Sequence, residues 1–141
     1  MRLSCLLLGQ FWGEELKQYD KDVTIVYSLE PFESDFLTHG HESAYPPDRY
    51  LAVLPSSIYF GWTDESADKY MADAMRISSA TLVKTGIKDG QKLKHAAHYT
   101  NYALFDTPVE RIYGRHVKRL HEIRKKYDPE DVMGLAGGWK L

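Results

Sequence analysis

The chain has 141 residues, a formal net charge of −2 and 43% hydrophobic residues, which predicts one globular domain over residues 1–141. A charge so close to neutral gives no electrostatic reason to expect nucleic acid or an anionic membrane surface as a partner. The single cysteine, Cys5, excludes an internal disulfide and suits a reducing, cytoplasmic compartment. No apolar stretch is long enough to span a membrane.

The first part of the chain predicts one helix and two strands. Residues 3–19 have helical spacing, and Val23–Leu29 is β-branched and aromatic, which is typical of a strand. The apolar side of the helix consists of Leu3, Leu7 and Phe11. Residues 50–62 predict a second strand region, in which Pro55 splits the run or lies at an edge because proline cannot donate to a sheet ladder.

The stretch between these strands, residues 30–49, is rich in Pro, Gly, Ser and Asp and predicts a long loop. Loops of about 20 residues in compact domains are usually functional or disordered. We therefore expect this loop to close over a site and exclude water.

Asp64 predicts the cap of a second helix that runs to about Thr85, with Gly86 as its stop. The residues at helical spacing on its core side are Ala67, Tyr70, Met71, Ala74, Met75, Ser78 and Leu82. This periodicity is typical of a helix face that packs against a core.

The last part of the chain predicts a third strand and a final helix. The strand is His95–Leu104. Thr107–Glu110 forms a capping box with proline at the first helical position, and Asp128-Pro129 ends the helix that it opens. The predicted buried side of that helix consists of Val109, Ile112, Tyr113, Val117, Leu120 and Ile123. The order α-β-β-α-β-α predicts an α+β fold, a small antiparallel sheet with helices packed on one face as in a ferredoxin-like sandwich.

Several short motifs occur in a specific order: "SLEP", "GWTDESAD", "TNYAL", "YG", "RLHEIRKKYDPEDV" and "GGWKL". With this order and spacing, residues 23–141 resemble the C-terminal third of fungal berberine-bridge-enzyme-like FAD-linked oxidases of the vanillyl-alcohol-oxidase superfamily. The resemblance implies part of a substrate domain, whose sheet lies over the flavin. It also implies a final helix and tail that return toward the flavin domain.

The chain departs from that family in the parts that hold the flavin. It has no phosphate-cradling glycine loop and no segment that supplies the family's His or Cys tether. A single Gly40 stands in "THGHES", near the position where the family often has Gly-Gly-Asn. We therefore expect no bound cofactor and no redox chemistry.

The third predicted strand carries the candidate site. By a period of two, His98, Thr100 and Tyr102 share one face, while Tyr99 and Asn101 share the other. We predict His98 and Tyr102 as catalytic donors, with His39 or His41 contributed by the loop; if the other face lines the cavity, the roles pass to Tyr99 and Asn101. The predicted substrate-binding residues are Tyr27, Tyr59, Trp62, Tyr99 and Asn101.

The histidine pairs His39-x-His41 and His95-x-x-His98 lack a cysteine or carboxylate at a recognisable metal-ligand spacing, so no metal is expected. Aromatic walls that fold a flexible apolar substrate favour a cofactor-independent, non-redox cyclase or isomerase, such as a Diels–Alderase of fungal secondary metabolism. The alternatives are a non-catalytic binding or accessory module paired with a separate flavin protein, and a truncation product. The resemblance implies a sheet face that the flavin domain covers in that family, and without this cover the face predicts a homodimer.

Overall fold

The computed structural model describes residues 2–33, 35–49 and 55–141, apart from the side chains of residues 2 and 3. The side chain of Leu3 and residues 50–54 of the predicted second strand therefore lie outside the description. The chain divides into two compact units, each assembled from two stretches of sequence. Unit 1 comprises residues 1–32 and 53–95, and unit 2 comprises residues 33–52 and 96–141. The single domain over residues 1–141 stays a prediction.

Unit 1 is an antiparallel pair of strands, called the hairpin below although a long segment joins them, with two helices packed against it. In chain order its elements are helix α1 (Arg2–Glu15), a 3₁₀ turn (Leu16–Gln18), strand β1 (Thr24–Leu29), strand β2 (Ser56–Gly61), a 3₁₀ turn (Glu65–Ala67) and helix α2 (Asp68–Lys88). The α+β class, with helices on one face of a small antiparallel sheet, is confirmed. No helix in the described part of the chain is both long and apolar enough to cross a membrane.

The two strands form an antiparallel pair. Their register runs from Thr24 opposite Gly61 to Leu29 opposite Ser56. Ile25 and its partner Phe60 face the helices and pack against the core. Val26 and its partner Tyr59 point the other way and are 44% and 49% exposed, as the period of two along a strand requires. Pro55 lies just before β2, where its carbonyl accepts a hydrogen bond from the Glu30 N–H at 2.9 Å.

The core of unit 1 lies between the hairpin and the helices. Leu16, Ala67, Met71 and Ala74 are buried together. The half-buried side chains that pack against them are Trp12, Val23, Ile25, Phe60 and Trp62. The predicted stripe of α2 therefore does face the core, although Tyr70 is 45% exposed. Asp64 caps the turn that leads into α2, because its side chain accepts the Ser66 N–H, as predicted.

Asp20 ties the turn before β1 to the turn after β2. Its carboxylate accepts the backbone N–H groups of Asp22, Thr63 and Asp64 at 2.8, 2.6 and 2.9 Å, and the Thr63 hydroxyl at 3.1 Å. These hydrogen bonds, that from the Thr63 N–H first, lower the pKa of Asp20 to about 2 because they favour the charged form.

The predicted apolar side of α1 does not face the core. Leu7 and Phe11 are 58% and 51% exposed, whereas Leu16 is 2% exposed. The helix instead turns Gly9 toward the hairpin, where a β-carbon on Gly9 would meet the Tyr27 ring at 3.7 Å. The small Gly9 at the contact allows the close approach, and of the larger side chains of α1 Trp12 packs against the core while Leu7 and Phe11 point outward.

Gly86 is not the stop of α2, which continues to Lys88. A β-carbon on Gly86 would lie 2.6 Å from the Leu93 side chain, so this glycine permits the following segment to pack closely. Gly90, with a φ of 87°, ends the helix. Its N–H bonds to the Ile87 carbonyl, and the next N–H, from Gln91, bonds to the Gly86 carbonyl, which is a Schellman motif.

Unit 2 consists of short helices and turns. Its elements are a 3₁₀ turn (Phe36–His39), helix α3 (Val109–Tyr113), a 3₁₀ turn (Gly114–His116), helix α4 (Val117–Tyr127) and helix α5 (Val132–Leu135). The predicted continuous helix is interrupted because Gly114 has a φ of 51°, a value that favours glycine. The predicted capping box is wrong, since no side chain caps α3. Of the described hydrophobic side chains of unit 2, Ile112 alone is fully buried, at 0% exposure.

The third predicted strand, over residues 95–104, is wrong, and the described sheet has two strands. The backbone donors of this segment bond locally or to α3 instead of to a strand. The His98 N–H donates to the Arg111 carbonyl at 2.8 Å, and the Tyr102 and Ala103 N–H groups both donate to the Tyr99 carbonyl at 3.0 Å. A segment with strand propensity forms a strand only where a neighbouring strand pairs with it, and residues 95–104 have no such neighbour in the part of the chain that the structure describes. The sheet is therefore smaller than in the predicted ferredoxin-like sandwich and consists, in the described residues, of β1 and β2.

The segment "YDPEDV" is a capping device between the last two helices. Helix α4 ends at Tyr127, and the Asp128 carboxylate accepts the backbone N–H groups of Val132 and Met133 at 2.7 and 2.9 Å. Asp131 has a φ of 55°, and its carboxylate lies 3.2 Å from Arg124 Nε. Asp128 therefore ends one helix and begins the next, which explains the local pattern of acidic residues around Pro129.

Candidate functional site

Three tyrosine rings lie together in unit 2, and we call them the phenol cluster: Tyr45, Tyr99 and Tyr102. The turn over residues 99–103 places the Tyr99 and Tyr102 rings edge to face, with centroids 5.2 Å apart and planes at 89°. Tyr45 contacts Tyr99 in the same manner, at 5.9 Å and 63°. The predicted separation of Tyr99 and Tyr102 onto opposite faces is therefore wrong, because the segment is a turn and not a strand.

Two hydrogen bonds orient the phenol cluster. The Tyr45 hydroxyl donates to the Ala97 carbonyl at 3.4 Å, and the Asn101 side-chain amide donates to the Tyr99 hydroxyl at 3.0 Å. Burial, followed by the neighbouring Tyr99, raises the pKa of Tyr45, so its phenol stays protonated at neutral pH. The cluster thus offers aromatic surface with hydroxyl groups at its edge.

His98 is held beside the cluster's turn by Arg111. Its N–H donates to the Arg111 carbonyl, and the Arg111 guanidinium donates to His98 Nε2 at 3.2 Å. Because a guanidinium has no acceptor, Nε2 is the accepting nitrogen and Nδ1 carries the proton. Burial, followed by the Arg111 charge, lowers the pKa of His98. His98 is therefore a neutral imidazole whose protonated nitrogen is Nδ1.

The two predicted loop histidines have local partners. His39 ends a 3₁₀ turn and lies 3.4 Å from the Asp35 carboxylate, with its side chain 75% exposed. His41 uses its backbone carbonyl to accept a hydrogen bond from Arg49, whose guanidinium also donates to the Leu37 carbonyl at 2.7 Å. None of the contacts found between described residues joins either imidazole to His98 or Tyr102. The Arg49 side chain thus orders this loop by hydrogen bonds to two of the loop's backbone carbonyls.

The three predicted wall residues from the first half of the chain belong to unit 1. Tyr27 shares a hydrogen bond of 2.8 Å with Ser78 Oγ, and burial as the first cause raises the pKa of Tyr27. Trp62 donates to the Asp68 carboxylate at 2.6 Å. Tyr59 lies on the opposite face of the hairpin from Tyr27. Their predicted role in substrate binding stays a prediction.

Sequence reasoning missed Tyr45 and Arg111. Tyr45 lies in a polar loop, where no periodicity marks it, although the neighbouring pair Pro46-Pro47 restricts the backbone there. Arg111 lies in the predicted last helix but is not among the residues of its predicted buried side. The signal that was available is the spacing between an aromatic-rich turn and a cationic residue about one helical turn after Pro108.

The described residues contain no group of three or more His, Cys, Asp or Glu side chains arranged to hold a metal ion. They also do not fit the phosphates of FAD, which need a glycine-rich loop with free N–H groups at a helix N-terminus. A pocket of about 530 Å³ in unit 1 is lined by Gly9 and Gly13, but both lie inside α1, where the helix itself uses backbone N–H groups. A pocket of about 290 Å³ on α4 has no glycine in its lining.

Comparison with known proteins confirms the family resemblance. Residues 98–136 match the family described as "Berberine and berberine like", a stretch that includes His98, Tyr99, Tyr102, Arg111 and Asp128. A curated protein of Cochliobolus heterostrophus, named FAD-dependent monooxygenase tpcD, is 27% identical over 150 residues; the alignment covers 96% of this chain and 29% of that protein. The chain thus spans less than a third of this relative's length. No solved structure matches.

Proposed function

We propose, on the match of residues 98–136 to the berberine and berberine-like family, that this chain binds its substrate as an enzyme of fungal secondary metabolism. The substrate is an apolar small molecule that lies against the phenol cluster. The observation that carries the proposal is the joint placement of three phenol rings and a neutral His98 within one unit. Aromatic faces bind apolar skeletons, and a phenol O–H or an imidazole N–H donates a hydrogen bond that orients a carbonyl oxygen.

The chemistry that this surface supports without a cofactor is cyclisation or isomerisation, including a Diels–Alder type of ring closure. The rings of the phenol cluster hold a flexible substrate in its reactive fold, which removes an entropic part of the barrier. The Tyr102 hydroxyl or the His98 Nδ1–H donates a hydrogen bond where negative charge develops on a substrate carbonyl. Bonds are rearranged within one molecule, and no electron acceptor takes part.

The second candidate is a binding module that works with a flavin-containing protein or domain. The relative named as an FAD-dependent monooxygenase favours it, because this chain aligns with 29% of that protein. In this role the phenol cluster positions the substrate, while the flavin is bound by other residues than the described ones.

Incubation of the purified chain with apolar polyene or aromatic intermediates, with flavin excluded, distinguishes the two candidates. A product of unchanged molecular formula supports the cyclase or isomerase. Binding without conversion, followed by turnover when a flavin protein of the same pathway is added, supports the module. If the chain neither binds nor converts such compounds, both candidates are wrong.

Two variants test the placement of the site. His98→Ala and Tyr102→Phe should each lower turnover or affinity at least about tenfold, which corresponds to roughly 1.4 kcal/mol. The matched control is Tyr127→Phe, which removes a hydroxyl from a side chain that is 73% exposed. Loss of activity in Tyr99→Phe or Asn101→Ala with full activity in the first two would transfer the donor role to those residues.

We also propose that the chain self-associates through the open face of the hairpin. Val26 and Tyr59 leave apolar surface there, 44% and 49% exposed, and two-fold pairing is the commonest way to cover such a face. Light scattering at micromolar concentration should give the mass of a dimer. A strict monomer would contradict the proposal.

A further inference from the structure

One face of α4 has the spacing of a packed helix but is not packed. His116, which immediately precedes α4, and Arg119, Leu120 and Ile123 within it share a face, because the pairs 116/119, 116/120, 119/123 and 120/123 are three or four residues apart. No residue of α4 is buried, and Ile123 is 42% exposed. The loop residues Glu42, Ser43 and Ala44 lie opposite this face and leave a pocket of about 290 Å³. The apolar side chains of this face are therefore only partly covered by the protein.

The pocket has a defined wall because His116 fastens the loop to the helix. Arg115 Nε donates to His116 Nε2 at 3.2 Å, so His116 Nδ1 carries the proton and donates to the Ala44 carbonyl at 3.0 Å. The His116 side chain is only 15% exposed. The preceding loop residue, Ser43, is also fixed, because its hydroxyl donates to the Tyr45 carbonyl at 2.8 Å.

The charges at the pocket are separated. Among the residues that the structure describes, no hydrogen-bond or ion-pair partner of the Arg119 guanidinium was found, although Glu42 lines the same pocket. The Glu42 carboxylate is instead near His116, with Oε1 3.8 Å from Nε2, and its side chain is 73% exposed. The Arg119 guanidinium, which has no partner among the described residues, thus lies beside the apolar side chains of Leu120 and Ile123.

We propose that this pocket binds a small carboxylic acid with an apolar body. Arg119 takes the carboxylate, for which a guanidinium fork is the best-matched side chain, and Leu120 and Ile123 contact the body. A cavity of roughly 150 Å³ is enough for benzene, so this pocket has room for a molecule with one ring and its acid group. None of the lining residues belongs to the phenol cluster, so the site is additional to the one in the proposed function.

The test is an NMR titration of the uniformly ¹⁵N-labelled chain with benzoate, and with benzamide as its neutral isostere. Benzoate should cause saturable shifts at residues 42–44 and 116–123 with a Kd of about 1–10 mM, the range of weak fragment binding. Benzamide should bind at least about tenfold more weakly, because it lacks the charge that pairs with Arg119.

Two variants and one control separate this site from a general attraction of anions to a basic helix. Arg119→Gln should weaken benzoate binding at least about tenfold, and Ile123→Glu should abolish it by placing a carboxylate in the pocket. Lys118→Gln, an equal loss of charge one residue away and outside the pocket lining, should change the Kd less than about twofold. Equal binding of benzoate and benzamide, or an equal loss in Lys118→Gln and Arg119→Gln, would overturn the proposal, as would the absence of localised shifts. If Arg119→Gln does not give the dispersed spectrum of a folded chain, Ile123→Glu alone decides.

Discussion

Replacement of Ile112 by alanine should destabilise unit 2 more than truncation of any other side chain that the structure describes there. Ile112 is 0% exposed, and the change removes three carbon atoms. At about 0.8 kcal/mol per buried methylene the transfer contribution is about 2.4 kcal/mol. The cavity that remains adds about 1–2 kcal/mol, so we expect the free energy of unfolding to fall by about 3.4–4.4 kcal/mol.

The matched control is Leu135→Ala, which also removes three carbons but from a side chain that is 87% exposed. It should change the stability by less than about 0.5 kcal/mol. The assay is urea unfolding combined with hydrogen exchange, which assigns the loss to individual amides. Because Arg111 holds His98 through two hydrogen bonds, the His98 amide should lose protection with α3. A loss below about 1 kcal/mol in Ile112→Ala, or equal losses in the two variants, would refute the assignment of Ile112 as the core of this unit.

Three further predictions concern charged groups. The pKa of His98 is lower in the folded chain than its unfolded value near 6.5, so between these two pKa values the unfolded chain binds more protons than the folded chain. The free energy of unfolding should therefore fall as the pH drops through this window. An NMR titration of Arg111→Gln should give a higher His98 pKa. The pKa of Asp20 is about 2 in the folded chain, compared with an ordinary value of 3.8. Its contribution to the free energy of unfolding is therefore complete above about pH 4 and is lost as the pH falls toward 2. In thermal melts, Asp20→Asn should lower the Tm at pH 7 and reduce this dependence on acid. Asp128→Ala removes the acceptor of two backbone N–H groups and should destabilise by about 0.5–2 kcal/mol in urea unfolding, whereas no change would mean that the cap is not formed in solution.

The sequence was most informative where local chemistry determines the backbone. Strand β1, the Asp64 cap and the core stripe of α2 were all predictable, because β-branched runs, caps and helical spacing act over a few residues. The end of the last helix at Asp128 was predictable for the same reason. Its interruption at Gly114 was not, because a glycine within an apolar periodic segment is compatible with either a continuous helix or a break.

The site was harder to predict because it depends on which segments meet. Residues 95–104 have strand propensity, but their donors bond to Tyr99 and to α3, so the predicted alternation of faces had no sheet to support it. His98 and Tyr102 do lie in the segment that was chosen. Tyr45 reaches the phenol cluster from a loop more than fifty residues away in sequence, a contact that no local pattern contains.

The interleaving of the two units has a consequence for how the chain is made. Unit 2 needs residues 33–52 and residues 96–141, and the first stretch is synthesised before the second. During translation the early stretch, including Tyr45 and Arg49, must therefore wait for its partners while the rest of unit 1 emerges from the ribosome. The same arrangement means that cleavage at one peptide bond cannot release either unit as a single uninterrupted fragment.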